Sequence, residues 1–380
     1  MKYCKRCLQP DTRPGILFNN EQVCYACLYE EQKQNIDWVK RESELRQIAL
    51  NAKKKSQGPY DCVIGVSGGK DSLFQAFYAK EKLDLKVLLV NSEPDQITEA
   101  GRANIENLIQ HGFDTFKMRP NPCILKKLTK RAFYEYGNII KPIEYTLWAS
   151  ASIIAEKFDI PLIIQGENGA LTLGTAKTGM SLDGNAMNVT EMDTLKGCNA
   201  RDWVYEEDNI LINDLYMYDF PSKELLKKKG ITSVYLQYYA KEWSQVGNAD
   251  FAIARGLMGR MTEDLHDLGR YRRYTAVDSD MQIVNQMLKY LKFGFGFATD
   301  EACYDIREGR LTREDAKWYV KEYDGKCGEQ YIRMFCDYID ISIEEFWEVV
   351  DKYVNKKLFY KDSKGQWHPK FEVGVDFPEK

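Results

Sequence analysis

Four short apolar runs alternate with segments of helical spacing between Tyr60 and Gln165. Strands that are apolar along their whole length are typical of parallel sheets, because helices cover both faces of such a sheet. Since crossovers between parallel strands are right-handed, the alternation predicts an α/β fold with a parallel, doubly wound sheet. The expected strands are 61–66, 86–91, 113–118 and 160–165, with a fifth inside 231–239, and the expected helices are 70–82, 97–110, 124–136 and 145–158.

A glycine-rich loop joins the first strand to the first helix and reads Val66-Ser67-Gly68-Gly69-Lys70-Asp71-Ser72. Its two glycines allow a tight turn, and the first N–H groups of the helix, together with the helix dipole, favour an anion. Ser67 and Ser72 add hydroxyl donors and Lys70 adds a positive charge, while Asp71 suits Mg²⁺ or a hydrogen bond at the helix start. The spacing fits neither a Walker A loop nor a G-x-G-x-x-G fingerprint. It predicts a phosphate site, and the alternative is an ordinary strand–helix turn.

Two cysteine pairs stand near the start of the chain, Cys4-x₂-Cys7 and Cys24-x₂-Cys27. This spacing is typical of a four-cysteine zinc ribbon, in which two turns present four thiolates to one Zn²⁺. No open coordination position is indicated, so the zinc is expected to be structural. Disulfides or a redox dithiol are the alternative interpretation.

The composition excludes several classes of protein. The 380 residues include 53 Lys or Arg and 57 Asp or Glu, a net charge of −4, so a nucleic-acid partner is not expected. No apolar run approaches the roughly 18 residues of a membrane span, and the first residues form no apolar signal region. We therefore expect a cytoplasmic protein without membrane association.

Four regions follow from these patterns: a zinc ribbon at 1–36, a helical connector at 37–58, an α/β domain at 59–240 and a mainly helical C-terminal region at 241–380. The glycine-rich segment 166–200 interrupts the α/β pattern and is expected to be a lid over the site or a disordered loop. Helical spacing returns at 281–292, 312–323, 330–338 and 342–354.

The loop Ser67-Gly68-Gly69-Lys70-Asp71-Ser72 resembles the SGGxDS loop of the ATP pyrophosphatases, also called PP-loop enzymes. Within that superfamily the chain is similar to the N-acetyl sugar amidotransferases. The resemblance covers most of the chain and depends on the cysteine ribbon, YDCVIGVSGGKDS, IIQGENGA at 163–170, LKFGFG at 291–296 and REGRLTREDA at 307–316. It implies that 59–240 is a PP-loop, ATP-binding domain.

The resemblance also implies a reaction and its cofactors. ATP and Mg²⁺ would adenylate the carbonyl oxygen of a sugar N-acetyl group, and ammonia would then displace AMP to give an acetamidino sugar. Members act in the biosynthesis of flagellar glycans, through pseudaminic or legionaminic acid, or of the O-antigen of lipopolysaccharide (LPS). The substrate is therefore expected to be an N-acetylated sugar, although no residue pattern in the sequence identifies it.

Further site residues are expected at the carboxyl ends of the strands, where ligands bind in open α/β sheets. Val90 and Asn91 are candidates to frame the adenine. Gly166 and Glu167 follow the fourth strand, and Glu167 would hold Mg²⁺ or substrate unless it is a solvated loop residue. Lys292 would reach the pyrophosphate, as a late lysine does in related asparagine synthetases; the alternative is a surface lysine at a helix end. The predicted catalytic set is Lys70, Asp71, Glu167 and Lys292.

The source of ammonia is expected to be a partner. None of the three histidines stands in a recognisable motif with a cysteine and a carboxylate, and residue 2 is Lys, so no glutaminase motif is present. The resemblance implies a separate glutaminase subunit of the histidine-biosynthesis type, with a cyclase-like companion.

Two other functions compete with this interpretation. A tRNA thiolase can carry a zinc ribbon before a PP-loop domain, but it usually needs further paired cysteines and a basic surface. A zinc-ribbon interaction module with a decayed nucleotide fold is the non-enzymatic alternative, and the intact loop 67–72 argues against it.

Overall fold

A computed structural model describes residues 1–196, 199–204 and 206–378. Within these ranges, five parallel strands form one sheet in the order β3-β2-β1-β4-β5. The predicted α/β class and parallel sheet are confirmed. The strands are β1 (Cys62–Val66), β2 (Val87–Ser92), β3 (Asp114–Met118), β4 (Leu162–Gln165) and β5 (Thr232–Tyr235), and a separate antiparallel hairpin contains β6 (Phe359–Lys361) and β7 (Trp367–Pro369).

The direction in which successive strands are added to the sheet reverses at β1, which lies at its centre. Val66 at the end of β1 is in register with Asn91 of β2, and Cys62 at its start is in register with Leu162 of β4. Strands β2 and β3 therefore lie on one side of β1, and strands β4 and β5 lie on the other. Ligands in open α/β sheets bind at the carboxyl ends of the strands at such a point.

Helices cover both faces of the sheet and form most of the C-terminal region. Those of the first half are α1 (Tyr25–Gln32), α2 (Trp38–Lys55), α3 (Lys70–Phe77), α4 (Glu99–Gln110), α5 (Pro122–Tyr136), α6 (Lys141–Lys157) and α7 (Gly169–Thr172). The later ones are α8 (Lys223–Lys228), α9 (Leu236–Tyr239), α10 (Gln245–Ile253), α11 (Leu265–Leu268), α12 (Met281–Phe293), α13 (Phe297–Arg307), α14 (Arg313–Tyr323), α15 (Glu329–Ile339) and α16 (Ile343–Tyr353).

Two predicted elements end earlier than expected. The fifth strand stops at Tyr235, where the chain turns into α9, because the N–H of Gln237 donates to the carbonyl of Gly166 instead of continuing the ladder. The helix expected over 70–82 is α-helical only to Phe77 and closes with a π-helical turn at Tyr78–Lys82. The α10 and α13 helices were not predicted from the sequence.

The segment 166–200 is held in place along much of its described length. The carbonyl of Gly174 accepts from Leu17 N–H, the N–H of Lys177 donates to Gly15, and the N–H of Ala186 donates to Ser233 in β5. These bonds connect the segment to the cysteine-rich start of the chain and to the sheet edge. Residues 197 and 198 lie outside the described residues.

The cysteine-rich start of the chain packs against C-terminal helices. One apolar cluster joins the four ribbon cysteines to Ala302 and Cys303 of α13 and to Ala316 and Val320 of α14. The four-region division of the chain stays a prediction. In the described part of the chain, none of the helices is both long and apolar enough to cross a membrane.

Candidate active site and metal centre

The glycine loop leaves the carboxyl end of β1 and delivers the backbone to the start of α3. Gly68 has φ +85°, and a Cβ there would lie 2.8 Å from the carbonyl oxygen of Gly101, so only glycine fits. The first N–H groups of α3 receive no side-chain cap. Because the first N–H groups of a helix have no intrahelical acceptor, they are available to an anion.

Lys70 and Asp71 form a polar pair at the first turn of α3. The Lys70 ammonium donates to Asp71 Oδ2 at 2.5 Å and to Gln245 Oε1 at 2.6 Å, and its side chain is almost fully buried. Asn248 Nδ2 donates to the other Asp71 oxygen at 2.8 Å. Gln245 and Asn248 stand one turn apart on α10, which packs against α3. The loop cation is therefore fixed by a helix almost 180 residues further along the chain.

Glu167 comes close to this pair from the end of β4. The hydroxyl of Tyr304, on α13, donates to the Glu167 carboxylate. Burial raises the pKa of Glu167, the charge of Asp71 raises it further, and hydrogen bonds from Thr172 and Tyr304 together with the charge of Lys70 oppose the shift. Three of the four residues predicted to be catalytic thus share one electrostatic environment at the carboxyl edge of the sheet.

The other predicted nucleotide contacts flank the loop. Asn91 is buried at the end of β2, where its Nδ2 donates to the Val66 carbonyl at 2.9 Å and its Oδ1 has no hydrogen-bond partner. Val90 precedes it, fully buried in the strand. At Gly166, an added Cβ would lie 2.4 Å from Gln75 Nε2, so the backbone passes close to α3. An unpartnered buried oxygen beside the loop is compatible with a ligand that donates a hydrogen bond.

Lys292 lies in different surroundings. Its ammonium donates to the carbonyl of Tyr136 at 2.6 Å, near the end of α5. Burial lowers the pKa of Lys292 to about 8, and the positive charge of Lys196 adds to the effect. In the described ranges, no hydrogen bond or ion pair joins Lys292 to the loop 66–72. Its role at the pyrophosphate stays a prediction.

The four ribbon cysteines converge as the spacing predicted. Their ligand atoms all lie within 4.8 Å of one another and all four residues are buried. The Sγ–Sγ distance is 3.9 Å for Cys4 and Cys27 and 3.6 Å for Cys7 and Cys24. Tetrahedral Zn–S bonds of about 2.3 Å require sulfur atoms roughly 3.8 Å apart, so the donor set fits zinc. This buried cluster could hold a zinc ion.

A small pocket beside Glu167 is lined in part by residues of the cysteine-rich region, among them Ala26 and Tyr29. Tyr29 of α1 forms one wall, Thr172 of α7 a second, and Tyr304 with Arg307 of α13 a third. The cysteine-rich region therefore contributes directly to the surroundings of the candidate catalytic carboxylate.

Sequence reasoning missed four residues of this site: Gln245, Asn248, Tyr304 and Arg307. The first two stand in no recognised motif, and their role depends on how α10 packs. Arg307 is the first residue of the REGRLTREDA motif, and its place in that motif is the one signal in the sequence that marks it.

Comparison with known proteins gives a partial match. Residues 268–372 match the family described as the C-terminal domain of WbpG-like LPS biosynthesis proteins. The match supports an LPS or glycan biosynthesis family. This range contains Tyr304, Arg307 and α12 to α16, whereas the glycine loop and the four cysteines lie outside it. A match to a biosynthetic family suggests an enzyme.

One relative among curated proteins is an uncharacterized protein of Methanocaldococcus jannaschii. It is 29% identical to the chain over 109 residues. The aligned segment covers 28% of this chain and 39% of the relative, so less than half of either protein is compared.

Proposed function

We propose that the chain is an ATP-dependent, AMP-forming amidotransferase that converts the N-acetyl group of a sugar into an acetamidino group for a bacterial surface glycan. The observation that carries the proposal is the cluster of Lys70, Asp71 and Glu167 at the open N-terminus of α3. The match of residues 268–372 to an LPS biosynthesis family supports a glycan as the product's destination.

The loop supplies what a nucleotide phosphate chain needs. Negative charge shifts from the α-phosphate to pyrophosphate in the reaction. The backbone N–H groups at the start of α3 and the Lys70 ammonium would stabilise that charge. The Lys70 ammonium is held by Gln245, so it is oriented before a nucleotide binds. Asp71 and Glu167 would hold Mg²⁺, which supplies charge neutralisation on phosphate oxygens when it is bound.

The proposed chemistry proceeds in two steps. The amide oxygen of the N-acetyl group bonds to the α-phosphorus of ATP, and the bond to pyrophosphate breaks. Ammonia then bonds to the former carbonyl carbon, the carbon–oxygen bond breaks, and AMP leaves with that oxygen while a proton is lost from nitrogen. An amide cannot release its oxygen as oxide, so adenylation provides the leaving group.

Ammonia for the second step would come from a separate glutaminase with a cyclase-like companion, as the resemblance implies. Direct transfer from a docked partner raises the local concentration of ammonia at the activated carbon. Free ammonium at high concentration replaces such a partner in a test of the reaction.

The test incubates the zinc-loaded protein with Mg-ATP, ammonium chloride and N-acetylated nonulosonic acids. We expect release of AMP and pyrophosphate that depends on the sugar, together with a sugar product in which NH replaces O, detected by mass spectrometry. Lys70→Met and Asp71→Asn should lower AMP formation at least about 100-fold, because the first removes the cation beside the phosphates and the second removes a carboxylate that would hold Mg²⁺. Lys82→Met, an exposed change on the turn after α3, is the matched control.

Turnover of Lys70→Met at the rate of the Lys82→Met control would contradict the proposal. AMP formation that requires tRNA and a sulfur donor instead of sugar and ammonium would favour the thiolase alternative.

A further inference from the structure

The four-cysteine centre carries charge in a buried place. Four thiolates around one Zn²⁺ have a net charge of about −2, and a buried charge is costly unless neighbouring groups compensate it. Backbone N–H groups provide part of the compensation. Arg6 and Cys24 donate to Cys4 Sγ at 3.4 and 3.2 Å, and Gln9 donates to Cys7 Sγ at 3.4 Å. These dipoles do not remove the net charge, and the Arg313 guanidinium, which donates to the backbone carbonyls of Cys7 at 3.1 Å and Cys4 at 3.4 Å, is one cation beside the centre.

Helix α13 brings a cation to this centre. Cys303 packs in the apolar cluster of the ribbon cysteines, and its Sγ accepts from the N–H of Leu8 at 3.3 Å. Arg307 follows Cys303 by four residues and therefore projects from the same face of the helix. Burial alone would lower the pKa of Arg307, but the nearby Cys7 and Cys303 outweigh this effect and raise the pKa above its usual value.

The other partners of Arg307 are neutral. Its Nη2 donates to the carbonyl of Thr172 at 3.0 Å, and its guanidinium lies 4.7 Å from the centre of the Tyr304 ring. Nη1 is buried without a hydrogen-bond partner. In the described part of the chain, Arg307 makes no ion pair with a carboxylate. A buried guanidinium without a carboxylate needs another source of negative charge.

We propose that Arg307 is the counter-ion of the four-cysteine metal centre, and that this pairing positions the wall of the pocket that contains Glu167. The link runs from the thiolates to Arg307, through its bond to Thr172 on α7, and to Tyr304, which holds the Glu167 carboxylate. Arg307 is thus a positioning residue between the metal and the candidate active site. The proposal concerns metal binding and does not depend on the proposed reaction.

Zinc affinity measured by competition with a chromophoric chelator tests the charge pairing. Arg307→Gln keeps a donor for the Thr172 carbonyl but removes the charge, and we expect the zinc dissociation constant to rise by about 10-fold or more, as for other groups that support metal ligands. Arg307→Lys retains the charge and should recover most of the affinity. Arg333→Met, which removes an exposed arginine from α15, is the matched control and should bind zinc like the unchanged protein.

A spectroscopic signature gives a second readout. With Co²⁺ in place of zinc, the sulfur-to-metal charge-transfer band should shift in Arg307→Gln and stay near its original position in Arg307→Lys, because the band reports the charge around the thiolates. If Arg307→Gln does not fold, Arg307→Met takes its place in both measurements.

Three results would overturn the proposal: a protein that binds no zinc, an Arg307→Gln or Arg307→Met variant with unchanged zinc affinity, or an Arg307→Lys variant as weak as the neutral ones. The last result would show that shape rather than charge matters at this position. None of these readouts uses AMP formation, so failure of the proposed reaction would remain distinguishable.

Discussion

At the scale of single residues, several neighbouring groups together set the pKa of Glu167. It is buried, it lies near the Asp71 charge, and Tyr304 donates to it from a distant helix. The two carboxylates therefore have different environments within one site. Such a difference is common where acidic groups share the work of a reaction.

We predict that AMP formation declines toward acid pH earlier than an ordinary glutamate would allow. The pKa of Glu167 is raised above its usual 4.5, so the carboxylate becomes protonated at a higher pH as acidity increases. Tyr304→Phe removes a hydrogen bond that lowers this pKa, and it should move the acid limb of the pH–rate profile to still higher pH. Tyr360→Phe, at a half-exposed hairpin position, is the control. If the acid limb does not move in Tyr304→Phe, protonation of Glu167 is not the cause of the decline at acid pH.

The loop residues could be predicted from the sequence because they are contiguous. Gly68 to Ser72 form one turn between a strand and a helix, and local chemistry is enough to assign them. Gln245 and Tyr304 could not be predicted, since each meets the site only after α10 and α13 have packed. The role expected of Lys292 depends on the resemblance alone, and no local sequence pattern indicates its bond to the Tyr136 carbonyl.

At the scale of elements, the unit of β1, loop and α3 depends on one backbone conformation. Gly68 has positive φ and faces the Gly101 carbonyl on α4, whereas Gly69 has φ −88° and meets no atom closer than 3.5 Å. The backbone conformation therefore requires glycine at position 68 but not at position 69.

We predict that Gly68→Ala lowers the free energy of unfolding by at least about 1–2 kcal/mol, the cost of a left-handed conformation for an L-residue, with the steric conflict added to it. Gly69→Ala should change the stability by less than about 0.5 kcal/mol, because its backbone suits any residue. Chemical denaturation of the two variants measures the difference. Equal stability would mean that the loop relaxes away from Gly101.

Element boundaries were predictable where a cap or an apolar period marks them. Ser342 accepts from the Glu345 N–H, which confirms the helix start expected at that position. The sequence does not predict that β5 ends and α9 begins at Leu236. A short apolar run fits a strand or a helix equally well, and the segments that pack against it decide between them.

At the scale of the whole molecule, the cysteine-rich region is joined to later parts of the chain. It packs on α13 and α14, and it exchanges backbone bonds with the segment 166–200. The sequence predicted the four thiolates but not these contacts, since their partners lie about 150 to 300 residues away.

We predict that Cys24→Ser lowers both the zinc content and the melting temperature of the whole chain. The loss of a few kcal/mol corresponds to a decrease on the order of 10 °C, since each kcal/mol shifts the transition of a larger domain by roughly 2–4 °C. Cys123→Ser changes an exposed cysteine and serves as the control. The measurements are metal analysis and calorimetry. A melting curve that is unchanged after loss of the metal would mean that the ribbon is an independent unit.

The bonds between residues 184–186 and β5 have a consequence for solubility. Tyr235 N–H donates to the Gly184 carbonyl at 2.8 Å and Ala186 N–H donates to Ser233 at 2.9 Å, so this border of the sheet already has a backbone neighbour. An uncovered border strand recruits strands from other molecules. The glycine-rich segment therefore protects this edge strand from pairing with a strand of another molecule. Substitutions that loosen the segment should cause the protein to aggregate before they affect other properties.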